Sequence, residues 1–491
     1  MCSDLGGRGG EPGEAEPPAR EWRPPTADAE EPHEAYRAAL ERIYAYSAIP
    51  RSVSEQRLDR PRKVARIRRL LELVGAPQSR FDTILIAGTK GKGSTAALLA
   101  SMLAAAGRRV GRYTQPHLLT WRERSWVDGR LISPEQVVAR FTEMQSALAA
   151  MHRQEPTYGA LTTFEVGTVL TLLHFAQCGV EVAILEAGVG GRHDATNAVD
   201  PIVSLVTSVS FDHTAVLGDT LAEIATEKAG VMRRGRPAVL GPQPPEALDA
   251  LERNARVLGA PLQRVGSEWR WSADTQDVAA GPFTMSGPDG IRIEALQTPL
   301  LGRHQRENAI AAAAAAWVYL GEMRGAATSA NHPDQRAAQS DALDAIRRGT
   351  AEVEWPGRLQ VLGRAPTLIV DGAHNGDSAR RLAEALKEAF RYRRLWLVLG
   401  LSAGKDVLGV LEPLAALADE IIVTRSSHQR ALELEALAAL AGRPVRLAEN
   451  VTTALTSAYQ QAFPDDLVCV TGSLFLVGEA MHVAPSIWGN A

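Results

Sequence analysis

The chain has 491 residues, enough for two or three domains with separate cores, and is nearly charge-balanced, with 53 Lys and Arg against 57 Asp and Glu and a formal net charge of −4. That balance argues against a nucleic-acid or polybasic membrane partner, and apolar helical stretches such as Ala309–Leu320 are too short to span a bilayer. Cys2, Cys178 and Cys469 are too widely spaced for a disulfide framework or a zinc site and fit a reducing cytoplasm.

Residues 1–33, rich in Gly, Pro and Glu and without a hydrophobic signal core, predict a disordered extension, not a targeting peptide. His33–Tyr46 and Arg62–Val74 have helical periodicity, and the arginines at 57, 60, 62, 66, 68 and 69 read first as a solvated face, the alternative being that some meet an anionic substrate. An apolar β-branched run, Thr83–Ala87, then enters Gly88-Thr89-Lys90-Gly91-Lys92-Gly93-Ser94-Thr95, and an Ala/Leu-rich helix follows as far as Gly107. Strand, glycine loop and helix N-terminus make a phosphate cradle, because free backbone N–H groups and the helix dipole favour an anion there. Lys92 adds a mobile positive charge, and Ser94 or Thr95 offers a hydroxyl to Mg²⁺. Gly93 separates the lysine from the hydroxyl, so the loop is not the general ATPase string.

Further strands are predicted at Arg109–Tyr113, Val180–Ala187, Ile202–Ser208 and Pro237–Leu240, with helices at Pro134–Met151, Phe164–Ala176 and Leu221–Met232. Alternation of this kind means βαβ units and a mainly parallel sheet. Glu186 ends one strand, where a carboxylate is placed to hold Mg²⁺, and His213 follows the next. Lys228 lies in a helix, and spacing alone does not single it out. Residues 262–300 read as a small antiparallel flap, Gln305–Met323 as a long helix, and 324–342 as a polar surface loop before a helix at Asp341–Arg348.

A second α/β pattern has strands at Thr367–Val370, Leu395–Leu399, Glu420–Thr424, Val445–Leu447 and Leu467–Val470. Asp371 at a strand tip can bind ribose hydroxyls, and Arg358 can stabilise charge developing in phosphoryl transfer. The expected fold class is α/β: a P-loop nucleotide-binding domain with a mainly parallel sheet at 34–350, carrying the 324–342 loop insertion, plus a smaller C-terminal Rossmann-like α/β domain at 351–491. The default site lies between them, completed by domain closure.

The segments GTKGKGST, ILEAGVGGRHDATN, SFDHTAVLG, EKAGVMRRG, GRHQRENA, WPGR, DGAHN and VTGSLFLVGEA occur in an order that resembles the folylpolyglutamate synthases and bifunctional dihydrofolate synthase/folylpolyglutamate synthases of the Mur ligase superfamily. The resemblance covers roughly residues 35–485, and the superfamily loop form GTxGKGS/T accounts for Gly93. Lys90 stands where that family usually has Asn, and Thr114-Gln115-Pro116-His117-Leu118 where SSPHL is commoner. The resemblance implies that Gly91, Lys92, Gly93, Ser94 and Thr95 hold the triphosphate of ATP. It also implies two Mg²⁺ ions, one on Ser94 and Glu186, the other on Glu186, His213 and a carbamylated Lys228. Asn308, Arg358 and Asp371 would contact the nucleotide, and His374 the nucleotide or the acyl-phosphate region. Thr162, Phe164, His193, Asp194 and Ala195 match positions that contact the pterin. Lys92, Glu186, His213, Lys228 and His374 would carry the catalysis.

The implied activity joins L-glutamate to the carboxylate of a folate, or of dihydropteroate, through an acyl phosphate, in a cytoplasmic monomer with no nucleic-acid or membrane partner. Glutamate would dock near Ser402–Asp406 or Thr424–Arg430. A peptidoglycan-precursor ligase would need a uridine-nucleotide domain ahead of the loop, where this chain has only a tail and two helices. A nucleotide switch would not need His213, Lys228 or the DGAHN loop.

Overall fold

The computed structural model describes residues 33–46, 53–273, 281–325, 333–428 and 430–489; apart from His33, which caps the helix Glu34–Ala45, the expectation for residues 1–33 lies outside them. The first sheet is built from β1 (Asp82–Ala87), β2 (Val110–Tyr113), β3 (Ser125–Val127), β4 (Arg130–Leu131), β5 (Val182–Glu186), β6 (Val203–Val206), β7 (Ala238–Leu240) and β8 (Leu262–Arg264). Their order is β4-β3-β2-β5-β1-β6-β7-β8, parallel from β2 to β8, with β3 and β4 antiparallel at one edge.

The strand β1 is apolar from Ile84 to Ala87 because both its faces are covered there. Ile84 and Ile86 enter one core, whereas Leu85 and Ala87 enter the core on the opposite face. On the first of these faces the helix Lys92–Ala105 packs against Arg303–Gly325 and Pro333–Ala351. Small residues allow that approach: Ala309–Ala316 are all buried, and a Cβ on Gly349 would overlap the backbone of Met102. Register pairs Ile86 with Glu186 and Ala87 with Val206. Parallel neighbours end at the same edge, so the loops after β1, β5 and β6 emerge together.

Several expectations need correction. Leu262–Arg264 joins the main sheet rather than the flap, because the helix Pro245–Leu258 makes a crossover that leaves the next strand parallel to β7. The flap keeps three antiparallel strands, β9 (Arg270–Ser272), β10 (Phe283–Ser286) and β11 (Arg292–Leu296). The 324–342 insertion is not a loop to its end: a helix runs from Pro333 to Ala351, since Pro suits a first helical turn and Ala342, Ala345 and Ile346 give it an apolar side. Pro134–Met151 divides at Met144 into two helices, Pro134–Glu143 and Gln145–Arg153. Arg66 is not solvated: it is 0 % exposed, and its guanidinium donates to Asp59, Glu165 and the Tyr158 carbonyl.

The second sheet comprises β12 (Gln360–Gly363), β13 (Thr367–Val370), β14 (Leu395–Leu399), β15 (Glu420–Val423), β16 (Arg446–Leu447) and β17 (Leu467–Thr471), ordered β12-β13-β17-β14-β15-β16. The expected five strands are parallel, and β12 adds a sixth as an antiparallel edge beside β13. Apolar cores cover both of its faces. Among the described residues no helix is long and apolar enough to cross a membrane.

Candidate active site between the two sheets

A cleft of about 360 Å³ lies at the carboxyl ends of β1, β5 and β6, faced by the loop that follows β13. In the glycine loop, Gly88 (φ +148°) and Gly91 (φ +84°) have backbones that disfavour a side chain, and a Cβ would overlap Thr207 at the first and Asn308 at the second. Thr89 laces this loop to the segment after β6, its N–H donating to the Ser208 carbonyl at 2.8 Å and its hydroxyl to the Ser210 carbonyl at 3.1 Å. The helix Lys92–Ala105 starts without a side-chain cap, which leaves first-turn N–H groups for an anion. Ser94 lines the cleft, whereas the Thr95 side chain is fully buried away from it, so only one of the two hydroxyls is presented. Lys92 Nζ donates to the carbonyls of Gly88 (3.2 Å) and Thr89 (3.3 Å) and stands 4.0 Å from Glu186 Oε1.

Glu186 is 4 % exposed, and the Gln115 N–H donates to its Oε2 at 3.1 Å. Burial pushes its carboxyl above the usual range, against the opposing pull of Lys92. His213 lines the cleft from a left-handed backbone (φ +51°), and desolvation keeps its ring towards the neutral form. Lys228 does not line the cleft; it sits behind the loop, 3 % exposed, with Nζ donating to the Gly88 carbonyl at 2.8 Å. Burial, reinforced by Lys92, brings its amine down to about 7. An undersatisfied carboxylate, a hydroxyl and a neutral imidazole suit a hard divalent cation. No group of three His, Cys, Asp or Glu side chains forms a metal cluster among the described residues.

From the second domain come Arg358, Asp371 and His374, and from the helix Arg303–Gly325 comes Asn308. The Asp371 oxygens accept the N–H groups of Leu359 and Ala373, both at 2.9 Å, so this carboxylate shapes the loop that carries Arg358. His374 Nδ1 lies 2.8 Å from the Gly372 carbonyl, which assigns the ring proton there and leaves Nε2 as an acceptor. Desolvation holds His374 at about 4.

Thr162, Phe164, His193, Asp194 and Ala195 do not line this cleft; Phe164 and Asp194 lie behind Gly188, which does, and Asp194 also accepts the Val189 N–H. Thr162 caps the helix Thr163–Gln177 through a reciprocal bond with Glu165. Phe164 stacks on Tyr113 with centroids 6.1 Å apart. Asp194 accepts the N–H groups of Gly188, Val189 and Thr196 and the Thr196 hydroxyl, so it organises the turn. His193 is half-buried, and Ala195 is buried at the start of a short 3₁₀ turn.

The structure also makes pairings that the motifs do not reveal. Lys90 Nζ is 3.1 Å from Asp212 Oδ2, and Asn375 Nδ2 reaches the same oxygen from the second domain at 3.5 Å. Although burial opposes it, Lys90 holds Asp212 down at about 2. Arg60 bonds Glu227 and donates to the Val216 carbonyl, tying the helix Val53–Leu73 to the helix that bears Lys228. The unusual lysine at position 90 is a signal for the first set, while Arg60 offers none in sequence.

Residues 86–316 match the family profile of the Mur ligase middle domain, and 357–474 that of the Mur ligase glutamate ligase domain. The chain is 36 % identical over 446 residues to the dihydrofolate synthase/folylpolyglutamate synthase of Mycobacterium tuberculosis, spanning 85 % of this chain and 89 % of that protein. It superposes on a Mycobacterium tuberculosis folylpolyglutamate synthase complexed with ADP with a TM-score of 0.80 and 33 % identity, covering 92 % and 99 % of the two chains. A bifunctional folylpolyglutamate synthase/dihydrofolate synthase with Mn, AMPPNP and L-glutamate bound gives a TM-score of 0.70 and 31 % identity, covering 86 % and 94 %. Similarity of that extent, through both domains and the cleft they share, places the chain in the folylpolyglutamate synthase/dihydrofolate synthase family of Mur ligases.

Proposed function

We propose that this chain is an ATP-dependent ligase that joins L-glutamate to the carboxylate of a reduced folate, and also of dihydropteroate. The observation that carries this reading is one cleft lined both by a phosphate cradle and by the Asp371–His374 loop of a glutamate ligase domain. A carboxylate oxygen of the folate attacks the γ-phosphorus of ATP; the bond to the bridging oxygen breaks, giving an acyl phosphate and ADP. The glutamate amine then attacks the acyl carbon; the carbon–oxygen bond to phosphate breaks, a proton leaves the nitrogen, and amide and phosphate remain.

ATP and both other substrates are anionic, so Lys92, Arg358 and the free N–H groups of Gly91–Ser94 serve to offset their repulsion. Ser94 and Glu186 would hold one divalent cation, and Glu186, His213 and Lys228 a second. When bound, such ions neutralise the phosphates and orient the transferred group. Lys228 supports the carbamate reading, since burial lowers its amine to about 7, so that near neutral pH a substantial share is uncharged and open to CO₂, and carbamylation turns it into an oxygen ligand. His374 faces the acyl-phosphate region as a neutral imidazole, and Asn308 and Asp371 set the nucleotide side. Phe164 offers the pterin a stacking face, with Thr162, His193 and Ala195 beside it and Asp194 acting through the turn it holds. In this reading the chain works as a monomer in the cytoplasm.

The test is purified protein with Mg-ATP and labelled glutamate, offered dihydropteroate and tetrahydrofolate separately. Label should enter the folate fraction with each, and ADP release should need both glutamate and the pterin substrate. ATP hydrolysis indifferent to both would overturn the reading. Lys228→Ala should abolish most turnover, and near-wild-type rates would overturn its metal role.

A further inference from the structure

Trp355 lies in the connector between the helix Pro333–Ala351 and β12, where the chain passes from one sheet to the other. Its indole edge occupies the space beside Gly93: a Cβ built there would fall 2.6 Å from Trp355 Cζ2 and 3.4 Å from Glu186 Oε2. Gly93 does not have a positive φ and lies in the first turn of a helix, so its backbone conformation does not demand glycine. Its neighbour does.

The same ring carries two guanidinium groups, Arg112 at 4.9 Å and Arg358 at 5.9 Å from its centroid. Arg112 is 8 % exposed and also lies 4.8 Å from the Trp126 ring, and its Nε has no partner among the described residues. A stack Trp126–Arg112–Trp355–Arg358 therefore runs from β3 through the domain connector to the cleft, with the start of the phosphate-loop helix against the edge of Trp355.

We propose that Trp355 is a positioning residue, one ring that sets both the start of the phosphate-loop helix and the place of Arg358, so that loop and second domain share a common reference. The role given to Arg358 rests on the ligase reading. The contact with Gly93 does not.

The test compares wild type, Gly93→Ala, Trp355→Leu and the double variant by ADP titration calorimetry, melting temperature and turnover with folate and glutamate. In the wild-type background Gly93→Ala should weaken ADP binding about a hundredfold, the cost of a displaced loop, and lower the melting temperature. In the Trp355→Leu background the same substitution should change ADP affinity by less than about twofold, because the clash is gone. There it should raise the melting temperature, as Gly→Ala in a helix ordinarily does. Trp355→Leu alone should lower kcat about tenfold with little change in KM for ATP, and Trp355→Phe, which keeps a face for Arg358, should restore most of kcat. Equal Gly93→Ala penalties in both backgrounds, or wild-type turnover by Trp355→Leu, would overturn the proposal. A wild type that binds ADP but shows no release of ADP dependent on folate and glutamate would instead overturn the ligase reading, with the Gly93–Trp355 coupling still readable in ADP affinity and melting.

Discussion

Arg66 and Glu186 are both buried charges, yet they are satisfied to different degrees. Arg66 donates to two carboxylates and a carbonyl, and Glu165, one of those partners, also caps the helix at Thr162. Replacing it by Leu strands Glu165 in the core and should cost about 3–5 kcal/mol in urea unfolding. Glu186 has one backbone donor and a lysine at 4.0 Å, and burial holds its carboxyl above the usual range. Glu186→Gln should therefore raise stability by about 1 kcal/mol while removing turnover, since the unmet lone pairs serve the reaction rather than the fold. Stability and rate moving together would contradict that view. The sequence places Glu186 at a strand tip, where chemistry is legible. It presents Asp371 in the same manner and Asp194 in the loop beyond Glu186, and only packing reveals that their oxygens are already committed to backbone N–H groups.

At the scale of elements, the helix Gly376–Ala389 meets the segment after β6 through three long contacts. Asn375 reaches Asp212 at 3.5 Å, the Ser210 hydroxyl donates to Asp377 at 3.3 Å, and Arg381 donates to the Ser208 hydroxyl at 3.4 Å. Asn375 is also the N-cap, its Oδ1 accepting the Ser378 N–H at 3.1 Å. Asn375→Asp keeps the cap but sets an anion against Asp212. The melting temperature and ADP affinity should hold while kcat with folate and glutamate falls; adding Asp212→Asn should recover it, and no recovery would remove this contact from domain docking. Strands and helices were largely readable because their periods repeat locally. Lys90 with Asp212, or Gly93 with Trp355, pairs distant parts of the chain with no period to betray it. The helix from Pro333 was masked by its polar composition, since its buried side is only a few alanines and Ile346.

Across the whole molecule, His174, His304 and His374 are all held at about 4 by desolvation, below their ordinary 6.5. The folded chain then binds fewer protons than the unfolded one between those values, so stability is full above pH 6.5 and falls as pH drops towards 4. His304→Asn should flatten that slope in melting curves taken across the range, and an unchanged slope would count against it. Salt brings out a different property. Lys92 and Lys228 both donate to the carbonyl of Gly88, and Lys90 lies beside them, paired with Asp212. Lys90 and Lys92 hold positive charge at the loop, partly offset by Asp212 and Glu186, and a polyanion delivered there is drawn to what remains. The protein should consequently behave as a phosphate-gated thermometer: tripolyphosphate should raise its melting temperature well beyond sulfate at equal ionic strength, and Lys90→Asn should shrink the difference.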